Sequence, residues 1–563
     1  MNFKLLKNQK FIFWLFQAVL MITSVLLLFT EPSGACVKIA NILFPLGVQI
    51  ILFCLTRRPG IVFLILFPKL FFDAFQFALI NLYGGSIIGS DMFLNVVTTS
   101  ASEAGEVLAS LTGTILMVFL IYIPSIILAI KSAKSKEKIE WRWRKKILYC
   151  GGIILAASII FITSACRFKD DIYPVNVIYN LEYATKKWNR VEKYNETSKG
   201  FTYNAFRENG KTREIVVLVL GETSRAANWS LYGYSRETSP HTDSLASSSN
   251  PVVGGGSNLV VFKDFLTQSN TTHKSVPIIL SPAEAGRYGL LYKSKSIVSA
   301  FKEAGFKTIY IKNQNYDKSI VHSYYNEADE KISVSSKIRS VPDEAVLPEL
   351  NKVLQKDTTG NLFIIIHLYG SHFAYHSRYP KQFAYYTPDR PKSISKKYRK
   401  ELINSYDNSI LNTDYVTFKI IEAIKSQNAG SVVMCLADHG EDLMDDRRGR
   451  FLHASLNATY YQLHIPFYVW FSDNYIKNCR DKYEQTIKHS SAPLSTNAVF
   501  HSLLDYAEIH TKYLDSTLCI GSPRLEEKER EYLTDHDIPM KLRLLPLTKY
   551  DYEQFEARGM KVR

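Results

Sequence analysis

The run Glu214-Ile215-Val216-Val217-Leu218-Val219-Leu220-Gly221 leads without a break into Glu222-Thr223-Ser224-Arg225. An apolar, β-branched stretch of this length predicts a strand buried on both faces, with a carboxylate delivered where it stops. Four more short runs follow: Thr308–Ile311, Leu362–His367, Ser431–Leu436 and Phe467–Phe471, separated by charged, helical stretches. From about residue 213 onward this alternation predicts an α/β sheet flanked by helices. In such sheets functional groups collect just past the carboxyl ends of the strands, so the polar residues that follow each run matter most.

Outward from that sheet the chain changes solvent. All 13 histidines lie at or beyond His241, whereas the long apolar runs end before residue 167. A chain of 563 residues so divided is not a single soluble globule, a disordered chain or a disulfide-dense mini-domain. Five stretches, near 11–30, 37–56, 60–82, 107–130 and 147–166, are long and apolar enough to cross a bilayer core of roughly 30 Å. Lysine and arginine concentrate before the first stretch, at Arg57 and Arg58, and from Lys131 to Lys146. Those segments are expected on the cytoplasmic side, which puts everything after Cys166 outside. The expected division is 1–166 in the membrane, 167–212 as an amphipathic connector along the headgroups, and 213–563 as the outer domain. The formal charge of +15 suits anionic lipid headgroups as well as nucleic acid, and charge alone does not choose.

Within the third span Lys69 and Asp73 stand one helical turn apart, as a pair or facing a wet cavity. The loop from Gly84 to Glu106 carries Asn95, Thr99, Ser100, Glu103 and Glu106, suited to a headgroup pocket or to capping the next helix. Of the 7 cysteines, Cys435 reads as a core residue, while Cys479 and Cys519 can form one bridge in an oxidising compartment. No CxxC pair points to a sulfur-ligated metal.

The chemistry concentrates at strand ends. Glu222 follows the first strand, and Asp438-His439-Gly440-Glu441 follows the run ending at Leu436. Singly, each carboxylate reads as well as a helix cap. Together, two carboxylates and an imidazole make an oxygen and nitrogen ligand set for Zn²⁺ or Mn²⁺. Between them lies Ser269-Asn270-Thr271-Thr272-His273-Lys274-Ser275-Val276-Pro277, a polar run that can begin a helix. A hydroxyl there becomes a nucleophile only if its pKa is lowered, and the bland reading of the cluster is capping. His372 and His453 also follow apolar runs, where either can bind a phosphate or protonate a leaving oxygen.

As a set these motifs resemble the bacterial phosphoethanolamine transferases. The resemblance is carried by Gly221-Glu222-Thr223-Ser224-Arg225-Ala226, Tyr232-Gly233-Tyr234, Thr272 ahead of Ser275-Val276-Pro277, His367 to His372, Tyr406-Asp407-Asn408-Ser409 and Ala437-Asp438-His439-Gly440-Glu441. It implies five transmembrane helices followed by a periplasmic alkaline-phosphatase or sulfatase-like α/β domain, in a multi-pass protein of the bacterial inner membrane. It implies Zn²⁺ held by Glu222, Asp438, His439 and Thr272, with Thr272 also the nucleophile; Thr271 is the rival, and the distance to Ser275-Val276-Pro277 favours Thr272. His372 and His453 match residues near the substrate phosphate, and Asn95, Thr99 and Glu103 match a donor or acceptor pocket.

The implied reaction moves phosphoethanolamine from phosphatidylethanolamine to lipid A or a lipopolysaccharide core sugar through a phosphothreonine, with polymyxin resistance as a consequence. The expected partners are those lipids and the membrane, not nucleic acid; the oligomeric state is open. Competing readings are a glycerol-phosphate transferase or sulfatase-like phosphohydrolase on the same fold, and a non-catalytic lipid-binding receptor. Two departures stand out: the disulfide that flanks the nucleophile in the best-known members has no counterpart beside Thr272, and the charged ending from Pro523 to Arg563 matches none of the motifs.

Overall fold

The computed structural model describes residues 7–31, 33–85, 87–99, 101–208, 212–314, 319–335 and 341–562, with backbone alone for 101–103 and 253. The chain forms two compact units, Met1–Phe93 with Leu108–Lys186 and Arg447–Arg450, and Leu94–Val107 with Lys187–Asp446 and Phe451–Arg563. Residues 167–212 therefore divide between them, and the segment Leu94–Val107 belongs with the second.

The first unit is helical. Gln9–Thr30, Ala35–Cys54, Thr112–Lys134 and Trp141–Ala165 are each long and apolar enough to cross a membrane. The third expected span is instead a broken pair, Pro59–Ile65 and Phe67–Tyr83, bent by 60°, and it makes a fifth crossing only if the pair is one span. The break falls at Leu66, just before Pro68 at the start of the second helix, where proline lacks the amide proton needed to continue the first. Large apolar side chains such as Phe29, Leu120 and Ile153 are exposed, as lipid-facing surfaces require. Lys69 and Asp73 do pair, at 2.7 Å, and Tyr173 donates to the same carboxylate at 2.6 Å, so the buried charge is neutralised.

The second unit is built on a seven-stranded sheet, from β1 (Glu214–Gly221), β2 (Leu259–Val261), β3 (Lys307–Lys312), β4 (Glu330–Ser333), β5 (Leu362–His367), β6 (Gly430–Ala437) and β7 (Phe467–Phe471), in the order β2-β7-β6-β1-β5-β3-β4. β6, β1, β5, β3 and β4 are mutually parallel, and β7 runs antiparallel to β6 and β2. Five of these strands follow the runs legible in the sequence. The two edge strands do not, because β2 has three residues and β4 is half-buried and polar. The central strands are buried along nearly their whole length, and Val216, Leu218 and Leu220 pack with Phe363, Ile365, Val432 and Met434 in the main core.

Two points that the sequence left open are answered in this unit. Cys479 and Cys519 are both free: the buried Cys519 thiol faces the carbonyls of His501 and Asp515, at 3.4 and 3.3 Å, not another sulfur. The charged ending is folded, as a hairpin of Glu531–Leu533 with Pro539–Lys541 and a helix Lys549–Glu556. Its Tyr532, Leu542, Leu545 and Phe555 pack with Leu266, Tyr460 and Leu463 in a second core.

Candidate metal centre

Parallel pairing of β1 with β6 sets Gly221 opposite Ala437, so the residues that follow them, Glu222 and Asp438-His439, emerge side by side. One ligand atom from each of Glu222, Asp438 and His439 lies within 4.8 Å of the others, and all three residues are buried. The amides of Thr223 and His439 donate to one Asp438 oxygen, at 3.0 and 2.8 Å. The other, Oδ2, is buried without a hydrogen-bond partner among the described residues and lies 3.3 Å from His439 Nε2. With its Nδ1 proton given to the Gly440 carbonyl at 3.0 Å, His439 turns the Nε2 lone pair to the cluster. Two carboxylates and one imidazole, with an orphaned buried oxygen among them, fit a divalent cation of the zinc type.

Thr272 enters from elsewhere. A short strand, Phe265–Leu266, pairs with Leu494–Ser495 and leads through a buried turn into the helix Thr272–Leu280. Thr267 in that turn donates to the Asp438 carbonyl at 2.7 Å. Thr271 occupies the N-cap position, where its carbonyl accepts from the amides of Lys274 and Ser275 while its hydroxyl meets Ser269 at 3.2 Å. The Thr272 hydroxyl instead lies 2.7 Å from Glu222 Oε1 and 3.2 Å from His439 Nε2. Of the two threonines, Thr272 faces the cluster.

The histidines form the outer side of the site. The His453 ring is centred 4.2 Å from that of His439 and 6.3 Å from that of His372. His453 Nδ1 lies 3.6 Å from Glu441 Oε1, and among the described residues both Glu441 oxygens are buried without a hydrogen-bond partner of good geometry. Burial raises the Glu441 carboxyl to about 8 and lowers His453 to about 3, so at neutral pH both groups favour their uncharged forms. Glu441 was legible only as part of the Asp438-His439 motif, and its burial marks it as a member of the site. Gln314, which reaches Glu222 Oε2 at 3.5 Å and the Leu368 carbonyl at 2.6 Å, stands in no motif.

The remaining motifs hold this geometry. Tyr406 donates to the Thr223 carbonyl at 2.7 Å and accepts from the Arg225 amide at 2.9 Å, bracing the turn that carries Glu222. Asp407 collects Asn228, Tyr234 and Arg236 at 2.6, 3.0 and 2.8 Å, which ties the Tyr232–Tyr234 motif to the long helix Arg399–Lys425. Gly370 has φ +54°, and a Cβ there would lie 2.8 Å from the Glu222 backbone, so the loop before His372 requires glycine.

The membrane-side residues are placed differently. Asn95 and Thr99 lie at the end of the helix Ser90–Thr98, with Thr99 bonded back to the Asn95 carbonyl. Among the described residues neither hydrogen-bonds a member of the cluster, and the Glu103 side chain lies outside the described residues. Glu106 is the residue of this segment that reaches the site's surroundings. It accepts from the Ala374 amide at 2.9 Å and pairs with Arg378 at 2.7 Å, while Arg378 donates to the His372 carbonyl at 2.8 Å.

A parallel sheet with carboxylates and an imidazole at adjoining strand ends, facing a hydroxyl at a helix start, defines the class of metal-assisted transfer and hydrolytic enzymes. The Sulfatase family model matches residues 214–509, more than half of the chain, and the chain belongs to that family. It is 28% identical over 309 residues to the Kdo(2)-lipid A phosphoethanolamine 7''-transferase of Escherichia coli strain K12, covering 52% of this chain and 51% of that protein. The chain spans about half the length of the curated relatives it matches. The zinc complex of the C-terminal periplasmic domain of EptC from Escherichia coli is similar at 26% identity and a TM-score of 0.55, over 61% of this chain and 96% of that one. The full-length lipooligosaccharide phosphoethanolamine transferase A of Neisseria meningitidis, an integral membrane protein, shares the fold at 21% identity and a TM-score of 0.68, over 90% of this chain and 98% of that one.

Proposed function

We propose that this chain is a zinc-dependent phosphoethanolamine transferase of the bacterial inner membrane, with its sheet domain in the periplasm. In this reading it moves the headgroup of phosphatidylethanolamine onto lipid A or the lipopolysaccharide core. The observation that carries the reading is the Thr272 hydroxyl, held 2.7 Å from Glu222 and 3.2 Å from His439 beside a buried carboxylate and imidazole cluster. The match to a lipid A phosphoethanolamine transferase supports the choice of group and acceptor.

Glu222, Asp438 and His439, with Thr272, would hold zinc. Bound there, the ion supplies Lewis acidity toward the phosphoryl oxygens and lowers the pKa of a nearby hydroxyl. In the first step Thr272 Oγ1 gives up its proton to water and bonds to phosphorus as the bond to the diacylglycerol oxygen breaks. His372 delivers a proton to that departing oxygen, beside His453, whose burial favours its neutral ring. In the second step an acceptor oxygen loses its proton to the same histidine and bonds to phosphorus, the bond to Thr272 breaks, and Thr272 Oγ1 takes a proton back from water. The apolar helices would anchor the chain in the membrane that carries the donor lipid, which raises its effective concentration.

The test follows a labelled ethanolamine headgroup through zinc-loaded full-length protein in lipid nanodiscs with lipopolysaccharide. Label first on Thr272 and then on lipopolysaccharide, by mass spectrometry, supports the proposal. Release of free phosphoethanolamine alone makes the protein a hydrolase, and no release from phosphatidylethanolamine overturns the assignment of donor.

A further inference from the structure

The Sulfatase match ends at residue 509, yet residues from beyond it also touch both sides of Thr272. Before Thr272, the Leu533 amide donates to the Gln268 carbonyl at 2.7 Å, and the Tyr532 hydroxyl donates to Asn270 Oδ1 at 2.7 Å. The Asn270 amide group in turn donates to Gln462 and to the Ser455 carbonyl, at 2.6 and 2.9 Å. After Thr272, the Lys274 ammonium is fully buried among tail oxygens: the carbonyls of Thr534 and Asp535 at 2.7 and 3.1 Å, and Asp537 at 3.1 Å. Asp537 also pairs with the buried Lys187 at 2.7 Å.

These contacts bracket the nucleophile turn, and the tail that makes them is itself anchored. Arg530 pairs with Asp264, Asp551 accepts from the Tyr460 amide at 3.2 Å, and Phe555 packs against Tyr460. No disulfide is present near the turn, since all seven cysteines are free. A buried ammonium is tolerated only while its oxygen partners stay in place, so the start of the helix Thr272–Leu280 moves if residues 534–537 move.

We propose that the C-terminal segment 523–562 is a non-covalent staple that sets the position of the Thr272 hydroxyl, with Tyr532 and Asp537 as positioning residues. The proposal rests on Thr272 as nucleophile only for its kinetic consequence, because a shift of about 1 Å at the reacting atom costs on the order of 100-fold in rate.

The test compares wild-type full-length protein with Tyr532→Phe and Asp537→Asn by hydrogen exchange, thermal unfolding and headgroup release from phosphatidylethanolamine. Tyr532→Phe removes one hydroxyl without opening a cavity, so it reports even if Asp537→Asn fails to fold. The expected result is exchange in the segment 268–280 faster by about fivefold or more, with exchange elsewhere unchanged. The unfolding midpoint of Tyr532→Phe stays within about 3 °C of wild type, and its kcat falls by about tenfold at constant KM. Unchanged exchange at 268–280 overturns the staple. A uniform rise in exchange with a lower midpoint makes the tail general scaffolding and also overturns it, as does an unchanged kcat despite faster local exchange. If wild type releases no headgroup, the transferase reading fails while the exchange measurement still decides the staple.

Discussion

Thr272 Oγ1 and Glu222 Oε1 lie 2.7 Å apart, although 50 residues separate them and they arise from different elements, a helix start and the end of β1. The neighbouring Thr271 hydroxyl has no such partner in the cluster and meets Ser269. Thr272→Ala is therefore expected to lower headgroup transfer by about 10³-fold or more, and Thr271→Ala by less than about tenfold. Rates of labelled headgroup release from the two variants, with phosphothreonine mapped by mass spectrometry, check the assignment. Equal losses would leave the two hydroxyls undistinguished and refute it.

Gly370→Ala tests whether the loop beneath Glu222 is held as tightly as its geometry requires. A Cβ in this left-handed conformation meets the Glu222 backbone at 2.8 Å, so the loop or the ligand must give way. The expected cost is on the order of 1–3 kcal/mol of stability, with zinc affinity weakened by about tenfold or more. Calorimetric zinc titration alongside thermal unfolding reads both, and an unchanged zinc affinity would mean that the Gly370 loop gives way and does not hold Glu222 in place.

Glu106→Ala removes the carboxylate from a guanidinium, Arg378, that is 2% exposed and braces the His372 loop. Glu106 is about a quarter exposed and Arg378 keeps its bonds to the His372 and Phe373 carbonyls, so the loss of this one partner costs on the order of 1–3 kcal/mol. Transfer is expected to fall with it, while Glu106→Gln, which keeps an acceptor for the Ala374 amide, retains more of both. Activity that survives Glu106→Ala intact would separate this loop from the chemistry.

Stability of the sheet domain should fall steeply in mild acid. Burial lowers His464 to about 3 and His501 to about 4, below the roughly 6.5 of an unfolded histidine. Both rings are held neutral, His464 accepting from Tyr460 at 2.7 Å and His501 from the Asp515 amide at 3.1 Å. Between about pH 4 and 6.5 the unfolded chain binds more protons, so stability rises with pH there and is fully present above about 6.5. Each ring contributes on the order of 3 kcal/mol across that window. His501→Asn keeps an acceptor for the Asp515 amide but cannot protonate. The unfolding midpoint of this variant should drop less than that of wild type between pH 6.5 and 4.5, and parallel curves for the two proteins would refute the assignment.

What the sequence determined by itself is whatever short-range pattern dictates. Length and apolarity marked the membrane helices, except that the bend at Leu66 makes one of them a broken pair. Unbroken β-branched runs marked the five central strands, because a strand buried on both faces needs no partner to be recognised. The short edge strands escaped, since their pattern comes from the sheet that they join. Glu222, Asp438 and His439 were legible as candidates because each directly follows such a run.

Tertiary structure alone decided what depends on where distant segments return. It set Gly221 opposite Ala437, turned Thr272 and not Thr271 toward the cluster, and brought Glu441 and Gln314 into the site. It also joined Glu106 to Arg378 and closed the tail over Gln268–Lys274. No local propensity encodes these contacts. Each is a pairing of buried polar groups across tens to hundreds of residues, stable only once the surrounding core has excluded water from both partners.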